Sequence, residues 1–325
     1  ATAHANGDPN WLTPPNHPAG TGRFTHNFAD PSVIAVNGNY YAYGTNSGGS
    51  HLPVLRSTNL RTWSPRASYN RTTAATRSAD ASRFVPGRPV VEARDRDSSF
   101  DPWINDALLD THPGARRDIT NHNHLRSSYW SPGVAVIGGR YVAFSAVPRN
   151  STDHRCIRAS VASSATGPFH PVGGANDWVQ CDSDSSGDAY SPNGSNDPDP
   201  FVAPDGTPHL VWKSEGNPNP PYSPTIIWTR QLNGDGTGFA SGSRPRELLR
   251  TASPANWEGR VIENPSMIHA HGKYYLFYSA NEWASSSYAT GYAVCEGPLG
   301  PCERTVDGPL MSTGNGSVVA PGGAD

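Results

Sequence analysis

The sequence has few of the features that mark nucleic-acid-binding or membrane-spanning proteins. Its 325 residues carry a formal net charge of −3 and an isoelectric point near 6.5, without a basic stripe or an acidic tail. This balance argues against a polyanionic partner such as a nucleic acid. No run of about 18 apolar residues exists, which argues against a transmembrane helix, and the polar residues 1–10 contain no apolar signal region. The chain is therefore expected to be cytosolic or to have lost a signal peptide.

Cysteine and lysine are scarce as well. Cys156 and Cys181 bracket one segment, Cys295 and Cys302 bracket another, and neither spacing is the C-x-x-C of a zinc or redox site. Among the three possible pairings we predict these two local disulfides. Disulfides form in an oxidising compartment, which favours a secreted protein whose signal peptide has been removed. Only two of the 25 basic residues are lysines, a bias that we attribute to a GC-rich genome and not to structure.

What the sequence does have is the composition of many short strands joined by turns. It contains 33 glycines and 31 prolines, few Leu-rich periodic stretches, and many short aromatic or Val/Ile runs. A hairpin pattern of two apolar runs around a short turn occurs four times. The copies begin near Phe28, Tyr129, Asp197 and Val261, and the start of a fifth lies at 314–319. Self-similar units of about 40 to 66 residues predict a β-propeller.

We therefore predict an all-β fold, a five-bladed β-propeller whose fifth blade is incomplete in this chain. Residues 24–325 would form the catalytic propeller, with a fourth strand of the first blade at 59–63. Residues 1–23 would form an N-terminal arm, and residues 66–127, which lack periodicity, a long insertion. Because an open ring would expose strand edges, we expect a further polypeptide segment to complete the fifth blade. A β-sandwich, which also has many short strands, is the alternative.

Acidic residues head three of the four inner strands. Glu263 and Asp197 each lie nine residues before the glycine of the following turn, whereas Asp30 lies eight and Asp199 only seven residues before theirs. This spacing aligns Asp197 with Glu263, and Asp30 with both to within one residue. Ser131 takes the same position in the second copy and carries no charge. The first strands of propeller blades line the central channel, so the three acids are expected to converge on its mouth.

Such a group of acids has the composition of a glycosidase site. Like charges in a partly desolvated pocket favour protonation, so at least one of the three should hold its proton near neutrality. Glycoside hydrolysis needs a protonated acid for the leaving oxygen and an ionised carboxylate that activates water or attacks directly. Asp-Pro and Asn-Pro also begin ordinary turns, so a structural role for these residues is the alternative.

Four segments in sequence order resemble glycoside hydrolase family 43. In that resemblance, Asp30 matches the general base, Asp197 the residue that keeps the acid protonated and aligned, and Glu263 the general acid. The resemblance covers residues 24–319 outside the long insertion. The segments are 28–34 (FADPSVI), 129–134 (YWSPGV), 197–202 (DPDPFV) and 261–267 (VIENPSM).

The resemblance implies a five-bladed propeller that hydrolyses glycosides with inversion and without a covalent intermediate. It implies an oligo- or polysaccharide substrate, and our first choice is an exo-acting α-L-arabinofuranosidase, with a β-D-galactofuranosidase or β-xylosidase as alternatives. The retaining fructan hydrolases and transferases are a further alternative, although their Asn-Asp-Pro, Arg-Asp-Pro and Glu-Cys motifs are only partly matched. A sugar-binding propeller with an inactive site is the non-enzymatic alternative.

The predicted substrate-binding residues accompany the motifs. Trp130 is the best sugar platform and Tyr288 a weaker one, whereas Trp212 and Phe144 are expected in the core. No cofactor is required, and we predict a monomer. Many family members hold a channel metal through a His in a Gly-Pro-Gly-His run, and the run at 314–317 has no His, which puts a calcium ion in doubt. The substrate-binding set as a whole is Trp130, Ser131, His26 and Trp283; Trp283 is a weaker platform than Trp130, and a hydrogen-bonded structural role is the favoured alternative for His26.

Overall fold

The computed structural model describes ten stretches of the chain, which form two compact units, one within 28–180 and one within 181–323. The predicted N-terminal arm 1–23, His26 and the insertion 66–127 lie outside the described residues. No helix in the described part has the length and apolarity that a membrane crossing requires. The described stretches are 28–45, 52–65, 129–149, 154–174, 177–181, 190–217, 221–251, 256–304, 307–314 and 319–323.

The unit at 28–180 contains two four-stranded antiparallel sheets whose strands follow one another in chain order. Large apolar side chains such as Tyr43, Val134 and Phe169 form its core. The strands are β1 (Ser32–Val36), β2 (Asn39–Tyr43), β3 (Val54–Ser57), β4 (Ser64–Pro65), β5 (Trp130–Ile137), β6 (Arg140–Pro148), β7 (Arg155–Ala162) and β8 (His170–Pro171).

The unit at 181–323 repeats this organisation with two further sheets. Its core contains Phe201, Val211, Ile227, Met267 and Leu276, contributed by both sheets. The strands are β9 (Ser195–Val202), β10 (Pro208–Ser214), β11 (Ile226–Gln231), β12 (Arg246–Arg250), β13 (Ile262–Ala270), β14 (Lys273–Ala280), β15 (Ala289–Cys295) and β16 (Cys302–Arg304).

The prediction of an all-β propeller is confirmed, with four blades in the described part of the chain instead of five. Four separate sheets of this kind are propeller blades and not the two facing sheets of a sandwich. Most of 314–319, where a fifth blade was expected to begin, lies outside the described residues. Nearby, Met311 forms an isolated bridge to Thr290. The segment expected to complete a fifth blade stays a prediction.

The fourth strand of the first blade was predicted at 59–63 and is found at Ser64–Pro65. The reason lies in Asn59, whose side-chain oxygen accepts hydrogen bonds from the backbone N–H groups of Arg61 and Thr62, both at 2.9 Å. An asparagine that bonds the backbone two residues ahead stabilises a turn instead of a strand.

In each blade an X-Pro pair lies just before the first strand or within it, and the first residue of the pair has a positive φ. In three blades the pair lies in a β-bulge, because the pairing of the first two strands shifts by one residue there. The positive-φ residues therefore mark one equivalent position in the four blades. They are Asp30 (48°), Ser131 (43°), Asp197 (52°) and Asn264 (46°).

The spacing argument that aligned Glu263 with Asp197 is wrong by one residue. Asn264 is the equivalent of Asp197, and Glu263 takes the place of Asn196, which pairs with the second strand just before the bulge. The cause is turn length, since residues 203–207 separate β9 from β10 whereas only 271–272 separate β13 from β14. Counting back from the turn glycine therefore misaligns the third and fourth blades.

Candidate active site

Glu263 lies at the centre of a hydrogen-bonded cluster in the unit at 181–323. It is the second residue of β13, it pairs with Ser279 of β14, and its side chain is 14% exposed. Its Oε2 accepts a hydrogen bond of 2.9 Å from Lys213 Nζ, and its Oε1 accepts one of 2.9 Å from the Tyr288 hydroxyl. Two donors from different parts of the unit therefore hold the carboxyl group in one orientation.

Lys213 is on β10, an inner strand of its sheet in which every residue is buried. Its ammonium also contacts Glu215 Oε1 at 2.9 Å. Burial alone lowers the pKa of Lys213, but the negative charges of Glu215, Glu263 and Asp197 together outweigh burial and hold that pKa well above its ordinary value. Lys213 is therefore a permanent positive charge between two carboxyl groups at neutral pH.

Asp197 is buried and holds the backbone beside Glu263. Its Oδ2 accepts a hydrogen bond of 2.9 Å from the backbone N–H of Asn264, the residue that follows Glu263. The side-chain amide of Asn264 in turn donates to the Tyr288 hydroxyl at 3.0 Å. Asp197, Asn264 and Tyr288 thus fix the backbone and the carboxyl group of Glu263 together. The structure brings Asp197 and Glu263 into one cluster.

Tyr288 is a buried donor to this cluster and not the weak sugar platform suggested by the sequence. Burial raises the pKa of Tyr288, and the adjacent charge of Glu263 raises it further. The hydroxyl therefore stays protonated at neutral pH, and it donates to Glu263 while it accepts from Asn264.

Asp199, the competing carboxylate of the third blade, has a structural role. Its Oδ2 accepts a hydrogen bond of 3.0 Å from the backbone N–H of Met267 in the next blade. In the unit at 28–180, Ser32 Oγ makes the equivalent contact, 3.1 Å, with the backbone N–H of Val134. Both acceptors lie two residues after the positive-φ residue of their strand. Position and contact both identify Asp199 as a link between blades.

Asp30 lies in the unit at 28–180, and the structure describes it there. Its Oδ2 accepts a hydrogen bond of 2.6 Å from the Thr45 hydroxyl, and Thr45 Oγ1 accepts one of 2.8 Å from the backbone N–H of Ser131. Thr45 thus brings two predicted site residues, Asp30 and Ser131, together. The link parallels the one from Asp197 to Asn264, with a threonine inserted between carboxylate and backbone.

The two predicted sugar platforms, Trp130 and Trp283, differ in how much of each ring is exposed to solvent. Trp130 is 41% exposed, and the Arg155 guanidinium lies 3.2 Å from the centroid of its ring, so a sugar could stack only on the opposite face. Trp283 is 67% exposed. Trp212 and Phe144 are fully buried, as expected of core residues. That Trp130 and Trp283 bind a sugar stays a prediction.

The prediction of two disulfides is confirmed. Cys295 at the end of β15 is bonded to Cys302 at the start of β16, and the two residues also face each other across the strands. Cys156 and Cys181 are disulfide-bonded as well, and no free cysteine remains among these four.

A metal-binding group of side chains is not found in the described stretches. No three His, Cys, Asp or Glu side chains there lie close enough together to hold an ion. Residues 315–317, part of the run that corresponds to the family's metal-holding segment, lie outside the described stretches, and the run 314–317 contains no imidazole. The doubt about a calcium ion stays a prediction.

The cluster around Glu263 can hold a carboxyl group in place and surround it with donors and charges of both signs. That arrangement suits a group that gives a proton to a substrate, provided that its own protonation is controlled. Sequence reasoning missed Lys213, Glu215 and Asn264. The signal for Lys213 was available, since the lysine follows the apolar run 210–212 of a strand, and a buried lysine is rarely without an acidic partner.

Comparison with known proteins agrees with these observations. The sequence model of glycosyl hydrolases family 43 matches residues 109–325. A β-D-galactofuranosidase of Aspergillus niger is 34% identical over 71 residues, a match that spans 20% of this chain and only 21% of that enzyme.

A thermostable family-43 glycoside hydrolase aligns with a TM-score of 0.59 and 21% identity over 88% of this chain and 74% of that chain. For the endo-arabinase of Bacteroides thetaiotaomicron the TM-score is 0.55, with 18% identity over 89% of this chain and 82% of that chain. At such identities the structural similarity shows the fold.

Proposed function

This chain belongs to glycosyl hydrolases family 43, and on that premise we propose that it is an inverting, exo-acting α-L-arabinofuranosidase. The observation that carries the proposal is the cluster around Glu263, whose carboxyl oxygens are each held at 2.9 Å by a separate donor. A general acid must be oriented toward one leaving oxygen, and a carboxyl group fixed on both oxygens meets that requirement.

In the proposed reaction, Asp30 takes a proton from a water molecule whose oxygen attacks the anomeric carbon. The glycosidic C–O bond breaks, and the leaving oxygen receives the proton of Glu263. A single displacement of this kind inverts the anomeric configuration. The roles of Asp30 and Glu263 rest on the family motifs, and the hydrogen bond from Thr45 supports Asp30 by fixing one of its carboxylate oxygens.

Asp197 has an orienting role in this scheme. Its hydrogen bond to the backbone N–H of Asn264 fixes the peptide that follows Glu263, and its charge lies close enough to act on Lys213. A fixed negative charge beside a general acid also favours the protonated form of that acid.

The choice of arabinofuranose is supported by the endo-arabinase among the structural relatives, although that similarity concerns the fold. Galactofuranose is the second candidate, because the Aspergillus niger relative with 34% identity over 71 residues is a β-D-galactofuranosidase. Both sugars are furanoses. The disulfides support secretion, since they form in oxidising compartments.

The test is a hydrolysis assay against p-nitrophenyl furanosides and pyranosides, with NMR of the first product anomer formed. We expect release of arabinofuranose with inversion. Retention of configuration would contradict the mechanism and favour the fructan-hydrolase alternative, whereas preferential release of galactofuranose would change the substrate only. No turnover on any glycoside would favour the sugar-binding alternative.

The role of Glu263 is tested with Glu263→Gln on two substrates of different leaving group. A p-nitrophenolate leaves without protonation, whereas the oxygen of an arabino-oligosaccharide does not. We expect a rate loss of about 100-fold to 10,000-fold on the oligosaccharide, as for other general acids, and a much smaller loss on the aryl glycoside. Equal losses on both substrates would contradict the assignment of Glu263 as the acid.

A further inference from the structure

Lys213 presents a chemical difficulty for the proposed reaction. Its ammonium lies 2.9 Å from Glu263 Oε2, and its side chain is only 5% exposed. A positive charge in direct contact favours the ionised form of a carboxyl group, which has no proton to give. If Lys213 acted on Glu263 alone, it would orient the general acid and at the same time oppose its function.

Glu215 supplies the missing charge. Its Oε1 lies 2.9 Å from the same ammonium, and its side chain is 30% exposed at the edge of the cluster. The Asn196 side-chain amide donates to the same Glu215 oxygen at 3.4 Å. Asn196 precedes the bulge of β9, in the position that Glu263 occupies on β13. Of the two equivalent strand positions, one thus contacts Lys213 directly and the other contacts Glu215, the second partner of that lysine.

The charged and titratable groups around Glu263 come from three parts of the unit. Lys213 and Glu215 belong to β10 and the residue that follows it, Asp197 belongs to β9, and Tyr288 precedes β15. Tyr288 is neutral because burial raises its pKa. With Glu215 and Asp197 ionised and Lys213 charged, the surroundings of Glu263 carry one net negative charge.

We propose that Lys213 is a positioning residue for Glu263 and that Glu215 offsets the charge of Lys213, so that Glu263 can be both oriented by an ammonium and protonated. This inference rests on the proposed role of Glu263 as the general acid. It explains why a buried strand carries a lysine and why an acidic residue follows it two positions later. Tyr288 orients one carboxyl oxygen of Glu263, and the Lys213 ammonium donates a hydrogen bond to the other.

The test measures kcat/KM against pH for the wild type and for Glu215→Gln on an arabino-oligosaccharide. Glutamine keeps an acceptor for Lys213 and removes the charge. Of the two negative charges near the ammonium only that of Asp197 then remains, and we expect the alkaline fall in activity to move to lower pH by about half a unit to one unit, less than the 1–3 units of a charge in direct contact. Glu303→Gln, which removes a charge from an exposed position on β16, is the matched control and should leave the profile unchanged.

Lys213→Met and Lys213→Arg test the other half of the pair. Methionine removes the positive charge, so the alkaline fall should move to higher pH by about one unit or more. A loss of rate of about tenfold or more should accompany it, because the acid loses one of its two anchors. Arginine keeps the charge and should return the alkaline fall to the position of the wild type. Thermal unfolding of each variant reports whether the fold is kept.

The opposite shifts of Glu215→Gln and Lys213→Met are the decisive result. Unchanged profiles in both variants, or shifts in the same direction, would overturn the proposal even if the wild type hydrolyses arabinofuranosides as proposed. A second readout does not need turnover: an NMR titration of isotope-labelled glutamate, in which the Glu263 signal is assigned by its loss in Glu263→Gln. The midpoint of that titration should move down in Glu215→Gln even if the wild type proves inactive, and an unmoved midpoint overturns the proposal.

Discussion

Asp197 and Asp199 stand two residues apart on β9, and each accepts a hydrogen bond from a backbone N–H group of the next blade. Only Asp197 acts next to Glu263, because its partner is Asn264, whereas Asp199 holds Met267 further along β13. We predict that Asp197→Asn, which removes the negative charge that favours the protonated form of Glu263, lowers kcat by about 100-fold, the lower end of the contribution of a general acid. Asp199→Asn should leave kcat nearly unchanged.

The two variants are matched controls for each other, since asparagine retains an acceptor oxygen at both sites. Both should therefore lose no more than about 1 kcal/mol of stability, as measured by denaturant unfolding. Equal losses of kcat in the two variants would show that the carboxylates are not functionally distinct, and the orienting role of Asp197 would have to be abandoned.

Tyr288 and Tyr278 offer a second comparison at the residue scale. Both hydroxyls are buried and donate to a carboxylate, Tyr288 to Glu263 at 2.9 Å and Tyr278 to Glu258 at 2.6 Å. Loss of a hydrogen bond to a charged group is worth about 1.5–3 kcal/mol, so Tyr288→Phe should lower kcat by about tenfold or more. Tyr278→Phe should lower stability by a similar free energy and leave kcat unchanged. Steady-state kinetics and thermal unfolding on both variants decide; a kcat loss in Tyr278→Phe alone would reverse the assignment.

At the scale of elements, an ion pair whose carboxylate is buried connects β16 to the segment before β13; the side chain of its arginine is 27% exposed. Arg304 Nε contacts Glu258 Oε1 at 2.5 Å, Arg304 Nη2 contacts Glu258 Oε2 at 2.9 Å, and Glu258 is fully buried. Removing one partner of such a pair leaves an uncompensated buried charge, which costs about 3–5 kcal/mol. We predict this loss of unfolding free energy for Arg304→Met.

Arg250→Met is the matched control, because Arg250 pairs with Glu247 at a site where the arginine is 56% exposed. Exposed pairs contribute about 0–1 kcal/mol, so this variant should unfold almost as the wild type does. The double variant Arg304→Met/Glu258→Leu should be more stable than Arg304→Met alone, since it removes the unpaired carboxylate. Similar losses in Arg304→Met and Arg250→Met would mean that burial does not govern these pairs.

The strands also show which structural features could be predicted from the sequence and which could not. Strand hairpins were predictable because apolar alternation and turn residues reflect local backbone preferences. The alignment of Glu263 with Asp197 was not, because it depended on the length of the turn after β9 and on bulges that insert one residue into a strand. The repeated X-Pro pair would have been the better reference, since Asp30, Ser131, Asp197 and Asn264 all share it.

For the whole molecule, composition and repeats were sufficient to predict the fold class, because many short strands with regular turns leave few architectures. The sequence motifs also singled out Asp197 and Glu263, which the structure places in one cluster, whereas their catalytic roles stay a prediction. The cluster that holds Glu263 could not be derived in this way. Lys213, Asn264 and Tyr288 lie on three different strands or loops, and only tertiary packing brings them to one carboxyl group.

Buried tyrosines should make the whole molecule sensitive to alkaline pH. The pKa values of Tyr43, Tyr278 and Tyr288 are raised, mainly by burial, and further by neighbouring tyrosines or by Glu258 and Glu263. The ordinary pKa of tyrosine is about 10, so below that pH these residues are protonated in folded and unfolded chains alike. Above it the unfolded chain loses their protons and the folded chain does not, and stability falls as pH rises.

We therefore predict a biphasic titration of tyrosinate absorbance among the 13 tyrosines. Accessible tyrosines should ionise reversibly near the ordinary pKa, and a second group should ionise only together with unfolding followed by circular dichroism. In Tyr278→Phe the second phase should shrink by one tyrosine. Because phenylalanine has no proton to lose, the fall of stability above pH 10 or so should also be shallower in this variant. A single phase completed before unfolding would show that these hydroxyls are open to solvent and would contradict the buried hydrogen bonds to Glu258 and Glu263.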